Sequence, residues 1–449
     1  MARECREPAV RIRGVELTID EVAAAVRGEV VGPPTTISGA CIDSRLAGEG
    51  QLFVPLVAER DGHDFIPAAL EAGSPAYLTS RAPLEGTTAV LVDDTMRALT
   101  RLGSVARDRL PEAVTGITGS VGKTSVKDLL AAALATTYPT AASEKSFNNE
   151  IGVPLTLVNA PDGTERVVLE MGARGIGHIR TLCDVARPTV AIVTMVAEVH
   201  TSEYEHGLDD VARAKGELVE AIPVDGHVIL NGSDARVRAM ASRTDARVLT
   251  YGVSGDVVAQ RVDVDEHLRP RFRLSSPWGT VDVQLAVHGV HQVGNALAAA
   301  AAALVQDVPL EAVAEGLGSA ALSPWRMELG HAASGATVLN DAYNSNPTAL
   351  AAALHSLAAL DAGRRVAVLG VMAELGDGSD ERHAEMGELA EDLGIDVVSV
   401  DCPAYGVGTN VPTVEAAVDA LGPLGPDDAV LVKASRSAGL ERVAALLLG

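Results

Sequence analysis

A glycine-rich loop between an apolar strand and a helix is the feature that most constrains how this 449-residue chain can fold. The run AVTGIT before the loop has the composition of a buried strand, and SVKDLLAAAL after it has the spacing of an amphipathic helix. A strand, such a loop and a helix form a cradle in which backbone N–H groups and the helix N-terminus bind phosphate. The predicted phosphate-binding residues are Gly119, Ser120, Val121, Gly122, Lys123 and Thr124.

Lys123 and Thr124 indicate which phosphate compound the loop binds. The lysine is predicted to reach a γ-phosphate and the threonine hydroxyl to bind Mg²⁺. The loop departs from the general GxxxxGK[ST] pattern because Ile117 stands where a glycine is usual. A structural glycine turn that only caps the helix is the alternative, but it does not explain a Lys-Thr pair at the helix start. The loop alone therefore predicts ATP or GTP together with Mg²⁺.

Composition narrows the class of protein. A chain of this length is expected to form two or three domains. The 36 basic and 60 acidic residues give a net charge of −24, which disfavours nucleic acid as a partner. The sequence has no run of 18 apolar residues, no secretory leader pattern and no CxxC pair among its 4 cysteines. We therefore expect a soluble cytoplasmic protein with reduced thiols and no membrane segment.

Strands and helices alternate along most of the chain. Apolar strands are predicted at 113–118, 166–170, 190–196, 227–231, 337–340, 365–369, 396–400 and 429–433. Such strands, alternating with helices, are typical of α/β folds with parallel sheets covered on both faces. Residues 256–287 instead predict an antiparallel β insertion. These changes of pattern predict three domains, at 1–111, 112–322 and 323–449.

The first of these domains is predicted to be a small α/β unit. Thr18 and Glu21 have the spacing of a capping box before a helix that Gly28 would end. Short strands are predicted at 51–57, 76–79 and 88–92, and a helix at 96–110.

Two candidate metal ligands follow predicted strands of the central domain. Glu170 ends the strand RVVLE and His200 follows the strand AIVTMV, so both are expected at the carboxyl edge of the sheet, where ligands bind in open α/β folds. The alternatives are a solvated strand-end acid and an exposed loop histidine. Lys215 lies on a third segment, the helix LDDVARAKGELVEAI, where spacing alone predicts a surface lysine that flanks Val211 and Val219.

Two later segments carry polar residues in positions suited to a site. His291 and Asn295 lie four residues apart on one face of a predicted helix, where the Asn295 amide either reads an adenine edge or serves as a cap or loop contact. The segment NDAYNSNP follows a predicted strand and precedes a helix that begins at a proline. Its polar side chains suggest a site, although Asn-Pro alone is a common turn.

An ordered series of motifs resembles the Mur ligase family. The series runs TGSVGKT, SFNNEIGVPLT, LEMGARGIGHI, VARAKGE, HQVGNALAAA, NDAYNSNP, VLGVMAELG and VLVKASRSAGLERV. The resemblance extends from about Cys41 to the C-terminus, and the ordered series is much more specific than its members. It implies a three-domain α/β architecture, in which an N-terminal domain holds a UDP-sugar, a central P-loop domain with a parallel sheet is the ATPase, and a C-terminal Rossmann-like domain closes over the site.

The resemblance also implies an activity. In this reaction the ATP γ-phosphate activates the carboxylate of UDP-N-acetylmuramoyl-tripeptide to an acyl phosphate, which the amine of D-alanyl-D-alanine attacks with release of phosphate. The NNEIGVP, DAYNSNP and MAELG runs point to this pair of substrates. The implied cofactors are ATP and Mg²⁺, the implied partners are the two small-molecule substrates, and the protein is expected to be a monomer that supplies peptidoglycan precursors to the cell wall.

The likeness assigns roles residue by residue. It gives Thr124, Glu170 and His200 to the metals, makes Lys215 a carbamylated lysine that helps to hold Mg²⁺, and counts Lys123, Lys215 and His200 as catalytic. It places Asn295 at the adenine, and Arg326 and Asp341 at the nucleotide phosphate and ribose. The implied substrate contacts are Ser44 and Arg45 for the uridine diphosphate, Asn148 and Asn149 for the muramyl peptide, and Tyr343, Asn344 and Asn346 for D-alanyl-D-alanine.

The chain departs from the family pattern at four positions. Met195, Ala197 and Thr201 replace the residues usual around the histidine, and Val371 stands where an aspartate is usual. A related amide ligase with a different acceptor, such as an amino acid or glutamate, therefore stays open as an alternative. A third alternative is a nucleotide-binding paralogue without turnover, although such a protein has no need for the lysine at position 215.

Overall fold

The computed structural model describes residue 14, residues 16–198, residue 204 and residues 206–373, 375–376 and 378–449. The chain divides into two compact units, and it passes between them several times. The first unit comprises Met1–Thr115, Tyr138–Met171 and Thr181–Pro188, and the second comprises Gly116–Thr137, Gly172–Arg180 and Thr189–Gly449. The division into domains at 1–111, 112–322 and 323–449 stays a prediction.

The N-terminal part of the first unit is a small α/β layer. Its elements are β1 (Leu17–Thr18), α1 (Ile19–Val26), β2 (Glu29–Val31), β3 (Thr36–Ile37), β4 (Ala40–Cys41), β5 (Leu52–Phe53), α2 (Ile66–Glu71), β6 (Ala76–Thr79), β7 (Ala89–Leu91) and α3 (Thr95–Asp108). The strand order is β2-β7-β6-β5-β4, with β2 antiparallel to β7 and the other pairs parallel. The layer has the α/β character that the sequence predicts.

Local signals explain how this layer begins and where one of its strands ends. The capping box is confirmed, because the Thr18 hydroxyl accepts from Glu21 N (3.2 Å) and the Glu21 carboxylate accepts from Thr18 N (2.7 Å). The strand predicted over 51–57 is shorter than expected. It stops at Phe53, since Pro55 has no N–H group to extend the ladder.

The middle of the chain alternates strands and helices before an antiparallel insertion. Its elements are β8 (Val114–Thr118), α4 (Lys123–Ala135), β9 (Thr140–Ala142), α5 (Gly152–Val158), β10 (Arg166–Glu170), α6 (His178–Ala186), β11 (Val190–Val193), α7 (Leu208–Glu220), β12 (His227–Asn231), α8 (Ala235–Ala239), β13 (Arg247–Tyr251), β14 (Val258–Val264), β15 (Pro270–Ser276), β16 (Gly279–Gln284), α9 (Gln292–Leu304) and α10 (Leu310–Ser319). The insertion predicted over 256–287 is confirmed as the antiparallel sheet β14-β15-β16.

Strand β8 runs from the first unit into the second. At its start, in the first unit, Ala113 O accepts from Val167 N (3.1 Å), and β10 pairs there in parallel with β9. At its end, in the second unit, Thr118 O accepts from Thr194 N (2.9 Å), next to the parallel strands β11, β12 and β13. The parallel strands predicted for this region are therefore confirmed.

The C-terminal part of the second unit is a separate sheet with helices on both faces. Its elements are β17 (Glu328–His331), β18 (Thr337–Asn340), α11 (Pro347–Ala358), β19 (Arg364–Leu369), α12 (Ser379–Asp392), β20 (Asp396–Val400), β21 (Thr409–Val411), α13 (Val414–Leu421), β22 (Asp428–Lys433) and α14 (Glu441–Leu448). The order is β17-β18-β22-β19-β20-β21, and only β17 pairs antiparallel within it. Apolar clusters cover both faces, which explains why the strands are apolar throughout. In the part of the chain that the structure describes, no helix is long and apolar enough to span a bilayer.

Candidate nucleotide and ligase site

The glycine-rich loop, residues 119–122, joins the end of β8 to the start of α4 in the second unit. Gly119 has φ 149° and Gly122 has φ 88°, and both are closely approached by side chains. A Cβ atom on Gly119 would lie 1.8 Å from Thr194 Oγ1, and one on Gly122 would lie 2.5 Å from Asn295 Oδ1. The loop can therefore take this path only with glycine at both positions.

Residues 194–197, which follow β11, hold the loop in place. Ser120 N donates to Met195 O (2.8 Å), and the Ser120 hydroxyl donates to Ala197 O and accepts from Ala197 N, both at 3.0 Å. The Thr194 hydroxyl donates to Val121 O (2.6 Å). The departures from the family pattern at Met195 and Ala197 lie at positions that contact the loop through backbone atoms, so these contacts do not depend on the side chain.

The Lys123 ammonium lies over the loop. Its Nζ donates to Gly119 O (2.7 Å) and to Ser120 O (3.3 Å). A cation at this point complements an anion bound by the loop N–H groups. That Lys123 reaches a γ-phosphate stays a prediction.

Arg326 contacts the buried threonine at the start of α4. Thr124 is 3% exposed, and its hydroxyl accepts from Arg326 Nη2 (2.9 Å). The Arg326 guanidinium also stacks on the Tyr343 ring, with 4.2 Å between Cζ and the ring centre. The structure thus brings together three residues that the sequence assigned to metal, phosphate and substrate.

Asp341 lies between a backbone N–H group and a buried lysine. Its Oδ1 accepts from Met327 N (3.1 Å), and its Oδ2 pairs with Lys433 Nζ. The assignment of Asp341 to a ribose stays a prediction.

Lys215 is buried, and the expectation of a surface lysine from spacing alone is wrong. It is 6% exposed on α7, on the same face as Val211 and Val219, which are also buried. Burial lowers the pKa of its ammonium well below the usual value, and the nearby charge of Lys123 lowers it further. The helix face that spacing identified is thus the core face, and the lysine shares it.

Asn295 lies beside the phosphate-binding loop on α9. Its Nδ2 donates to Gln292 Oε1 (2.8 Å), and its Oδ1 faces Gly122. His291 precedes the helix, and burial lowers the pKa of its imidazole. Contact between Asn295 and an adenine stays a prediction.

Glu170, the predicted metal ligand at the end of β10, lies in the first unit. Glu170 is 1% exposed at the end of β10, so the alternative of a solvated acid is wrong. Its Oε1 accepts from Asn148 Nδ2 (2.7 Å), and its backbone N donates to the Ser143 hydroxyl (3.2 Å). The structure therefore joins two predicted site residues, Glu170 and Asn148.

Three predicted substrate residues carry local structural bonds. Asn149 Oδ1 accepts from Ile151 N (3.2 Å) and Gly152 N (3.0 Å), and Asn346 Oδ1 caps α11 by accepting from Ala349 N (2.9 Å). Asn344 Oδ1 accepts from Ser345 N (2.9 Å). These bonds shape the two turns, and contact with substrate stays a prediction.

Ser44 and Arg45 lie in the first unit after β4. The Arg45 guanidinium binds the Asp43 carboxylate through Nε (2.9 Å) and Nη2 (2.6 Å), and its side chain is largely exposed. Both residues are at the surface or half-buried, and their role at a uridine diphosphate stays a prediction.

Two predicted positions, His200 and Thr201, lie outside the described residues. Among the residues that are described, no three His, Cys, Asp or Glu side chains group closely enough to hold a metal ion. Val371 is the fourth position that departs from the family pattern. It contacts Ser435 through backbone atoms, since Val371 O accepts from Ser435 N (2.9 Å).

Two groups that support the site, one half-buried and one buried, were not found from the sequence. Asp128 on α4 accepts from Ser323 N (2.6 Å) and from the Ser323 hydroxyl (3.2 Å), just before Arg326. Lys433 ends β22 and pairs with Asp341. The available signal for Lys433 was a charged residue closing an apolar strand, which is the pattern that identified Glu170.

Family models match most of the chain. The Mur ligase middle domain matches residues 117–303, and the Mur ligase, glutamate ligase domain matches residues 325–436. A UDP-N-acetylmuramoyl-tripeptide--D-alanyl-D-alanine ligase of Mycobacterium tuberculosis is 36% identical, over 97% of this chain and 98% of the relative. A ligase of the same name from Escherichia coli is 35% identical, over 96% of this chain and 98% of the relative.

Solved structures agree with these relatives. MurF from Acinetobacter baumannii superimposes with a TM-score of 0.87 at 29% identity, covering 98% of this chain and 100% of the other. The MurF ligase of Thermotoga maritima, solved in complex with ADP, gives a TM-score of 0.80 at 27% identity, covering 91% and 96%. The sequence likeness spans nearly the whole chain at more than 30% identity, and the fold matches over the same length. The chain therefore belongs to the Mur ligase family.

Proposed function

We propose that this chain is the ATP-dependent ligase that joins D-alanyl-D-alanine to UDP-N-acetylmuramoyl-tripeptide in peptidoglycan precursor synthesis. The observation that carries the proposal is the likeness to ligases of that name over 97% of the chain. The contact between Thr124 and Arg326 adds support. Within the second unit it joins the first turn of the helix after the phosphate-binding loop to the segment just before β17. We propose the cytoplasm as its location, a monomer as its state and the predicted three domains as its organisation.

The proposed reaction has two steps. A carboxylate oxygen of the tripeptide forms a bond to the γ-phosphorus of ATP, ADP leaves, and an acyl phosphate results. The amine nitrogen of D-alanyl-D-alanine then bonds to the carbonyl carbon, loses a proton, and inorganic phosphate leaves. Both steps need close alignment of the reacting atoms and neutralisation of the phosphate charge.

The loop geometry fits a nucleotide phosphate chain. A Cβ atom at Gly119 or Gly122 would collide with the Thr194 or Asn295 side chain, so glycine is needed at both positions for the loop path that joins β8 to the N-terminus of α4, where phosphates bind in such folds. The N–H groups of residues 121–123 would bind the phosphates, because Ser120 N already donates to Met195 O, and Lys123 and Arg326 would balance the phosphate charge. We propose Asn295 for the adenine and Asp341 for the ribose.

Two of the proposed metal ligands supply the oxygen donors that Mg²⁺ prefers. Thr124 supplies a buried hydroxyl and Glu170 a buried carboxylate, and both are oxygen donors. His200 and a carbamate on Lys215 are the other proposed ligands. When bound, Mg²⁺ would supply charge neutralisation at the phosphates.

Burial makes Lys215 a suitable amine for carbamylation. Its lowered pKa keeps a fraction of the side chain neutral, and a neutral amine can form a bond to the carbon of CO₂ with loss of one proton. The product is an anion in place of a cation. An anion at this position would relieve the repulsion between Lys215 and Lys123 that lowers the pKa.

The substrate side of the proposal follows the sequence likeness. Ser44 and Arg45 would contact the uridine diphosphate, and Asn148 and Asn149 the muramyl peptide. Tyr343, Asn344 and Asn346 are proposed for D-alanyl-D-alanine.

Phosphate release tests this function. The full-length chain is mixed with ATP, Mg²⁺ and UDP-N-acetylmuramoyl-tripeptide, with and without D-alanyl-D-alanine, and Lys123→Ala serves as the inactive variant. We expect sustained release only when both substrates are present, and none from the variant. Release that depends on glutamate or another amine instead would favour a ligase with a different acceptor, and release at the same rate from Lys123→Ala would refute the role of the loop.

A further inference from the structure

We propose that Lys433 is a positioning residue that holds Arg326 against Thr124, in the first turn of the helix that follows the phosphate-binding loop, acting through Asp341 and residues 325–327. The inference deepens the proposed function, because it rests on Arg326 serving a bound nucleotide. Lys433 itself lies at the end of β22, and its ammonium bonds to Asp341 and Asn344.

The Lys433 ammonium fixes the turn that follows β18. Lys433 is 2% exposed, and its Nζ donates to the Asp341 carboxylate, to Asn344 O (2.9 Å) and to Asp341 O (3.4 Å). A buried ammonium needs acceptors for its three N–H groups, and these acceptors all belong to one turn. Residues 341–344 are therefore tied to the end of a central strand of the C-terminal sheet.

The turn at residues 341–344 also bonds to the two residues that flank Arg326 in the sequence. Asp341 Oδ1 accepts from Met327 N (3.1 Å), and Tyr343 N donates to Trp325 O (3.3 Å). Trp325 has φ 62° and Met327 has φ 53°, a left-handed conformation that residues with a side chain rarely adopt. Such a conformation persists only where the surroundings fix it, and here the fixing bonds come from the turn that Lys433 holds.

The strained segment presents Arg326 to the loop. Arg326 Nη2 donates to the Thr124 hydroxyl (2.9 Å), and Arg326 Cζ lies 4.2 Å from the Tyr343 ring centre. Its buried Nε has no hydrogen-bond partner within the described part of the chain. The Arg326 guanidinium therefore has an N–H donor that is unpaired with any described residue, and a phosphate oxygen is an acceptor for such a donor.

The arrangement gives Lys433 an effect on nucleotide binding that passes through Arg326 and is distinct from a ribose contact of Asp341. Without the ammonium, the Asp341 carboxylate and Asn344 O lose a buried donor, and the bonds that keep residues 325–327 in their left-handed conformation weaken. Arg326 then leaves the position in which it contacts Thr124. A residue that acted on the nucleotide by another route would not depend on Arg326 in this way.

Binding of a non-hydrolysable ATP analogue, followed by calorimetry on the full-length chain, tests the inference. Lys433→Met removes the ammonium at similar volume, Arg326→Ala removes the guanidinium, and the double variant combines them. Losing a hydrogen bond from a charged donor predicts about tenfold weaker binding for each single variant. Because both changes act on one contact, the double variant should bind within about twofold of Arg326→Ala.

Two results would overturn the inference. One is Lys433→Met binding the analogue within about twofold of the unchanged chain, and the other is a double variant whose loss is the product of the two single losses. If the unchanged chain fails to bind the analogue, the proposed function fails as well. Binding by the unchanged chain together with undiminished binding by Lys433→Met refutes the role of Lys433 alone.

Matched variants separate positioning from loss of stability. Leu431→Ala lies on the same strand and is fully buried in the apolar core, so it should lower stability and leave the dissociation constant unchanged. If Lys433→Met does not fold, Lys433→Gln keeps two N–H donors one bond short of the lysine Nζ. It should weaken binding less than Lys433→Met does, and the weakening should again be absent in the Arg326→Ala background. Equal weakening of binding by Leu431→Ala would contradict the inference.

Discussion

Replacing Gly122 by alanine tests the phosphate-binding loop most sharply. Gly122 has φ 88°, and a Cβ atom there would lie 2.5 Å from Asn295 Oδ1. A left-handed conformation costs an alanine roughly 1–2 kcal/mol. Moving Asn295 away breaks its bond to Gln292, which contributes about 1 kcal/mol.

Together these terms predict a loss of about 2–3 kcal/mol for Gly122→Ala. If the loop leaves its present path, the loss appears as weaker binding of a non-hydrolysable ATP analogue, whose dissociation constant should rise by about 30- to 140-fold. If the loop keeps its path, the same loss appears as a lower free energy of unfolding. Calorimetry and urea unfolding on the same samples measure both terms, and their sum is the predicted quantity.

Two companion variants divide the loss into its parts. Gly163→Ala also places alanine at a positive φ, 78°, but with no atom within 4 Å of the new Cβ, so it should lose some stability and bind the analogue normally. In the Asn295→Ala background the bond to Gln292 is already lost and no Oδ1 meets the new Cβ, so Gly122→Ala should cost only the conformational part there, about 1–2 kcal/mol. Gly122→Ala with unchanged stability and unchanged binding would refute the reasoning.

Three further predictions concern Lys215 and Asp128. Lys215→Ala should lose ligation, and small carboxylic acids should partly restore it if the carbamate is real; full activity without any addition would remove Lys215 from the site. In buffer free of CO₂, Lys215→Met should unfold at higher urea than the unchanged chain near pH 7. Because the pKa of Lys215 is lowered in the folded state, folding releases a proton, which destabilises the fold at any pH below the ordinary lysine pKa. The difference in stability between Lys215→Met and the unchanged chain should therefore shrink as the pH rises towards that value. A difference in stability that grows with pH would contradict this. Asp128→Ala should lower the free energy of unfolding, measured by urea denaturation, by about 2–4 kcal/mol. The change removes two hydrogen bonds from Ser323 and the carboxylate that lies 2.5 Å from the ammonium of Lys127, a residue that is only 3% exposed. Asp162→Ala, on an exposed turn, is the control and should change the free energy of unfolding little.

The elements with strong local signals could be predicted from the sequence. The apolar strand before the loop, the helix after it and the capping box at Thr18 each follow from a short run of residues, and the structure contains all three. Glu170 could be identified as a candidate for the same reason, since a charged residue at the end of an apolar strand is a local signal. The prediction for residues 51–57 went wrong because the apolar pattern was weighed above Pro55.

The remaining features depend on contacts between distant parts of the chain. Lys215 was expected at the surface because spacing identifies a helix face without telling whether that face is buried. Lys433 and Asp341 lie 92 positions apart, and no local pattern predicts that they pair. The left-handed residues on both sides of Arg326 are likewise fixed by the turn at 341–344 rather than by their own sequence.

The most direct test of the proposed function is the mass of the product. The full-length chain is incubated with ATP, Mg²⁺, UDP-N-acetylmuramoyl-tripeptide and D-alanyl-D-alanine, and products are quantified by mass spectrometry together with ADP and phosphate. We expect one ligated UDP-N-acetylmuramoyl-pentapeptide for each ADP and each phosphate formed. ADP and phosphate produced without that pentapeptide, or with a different amine in the product, would contradict the proposed function.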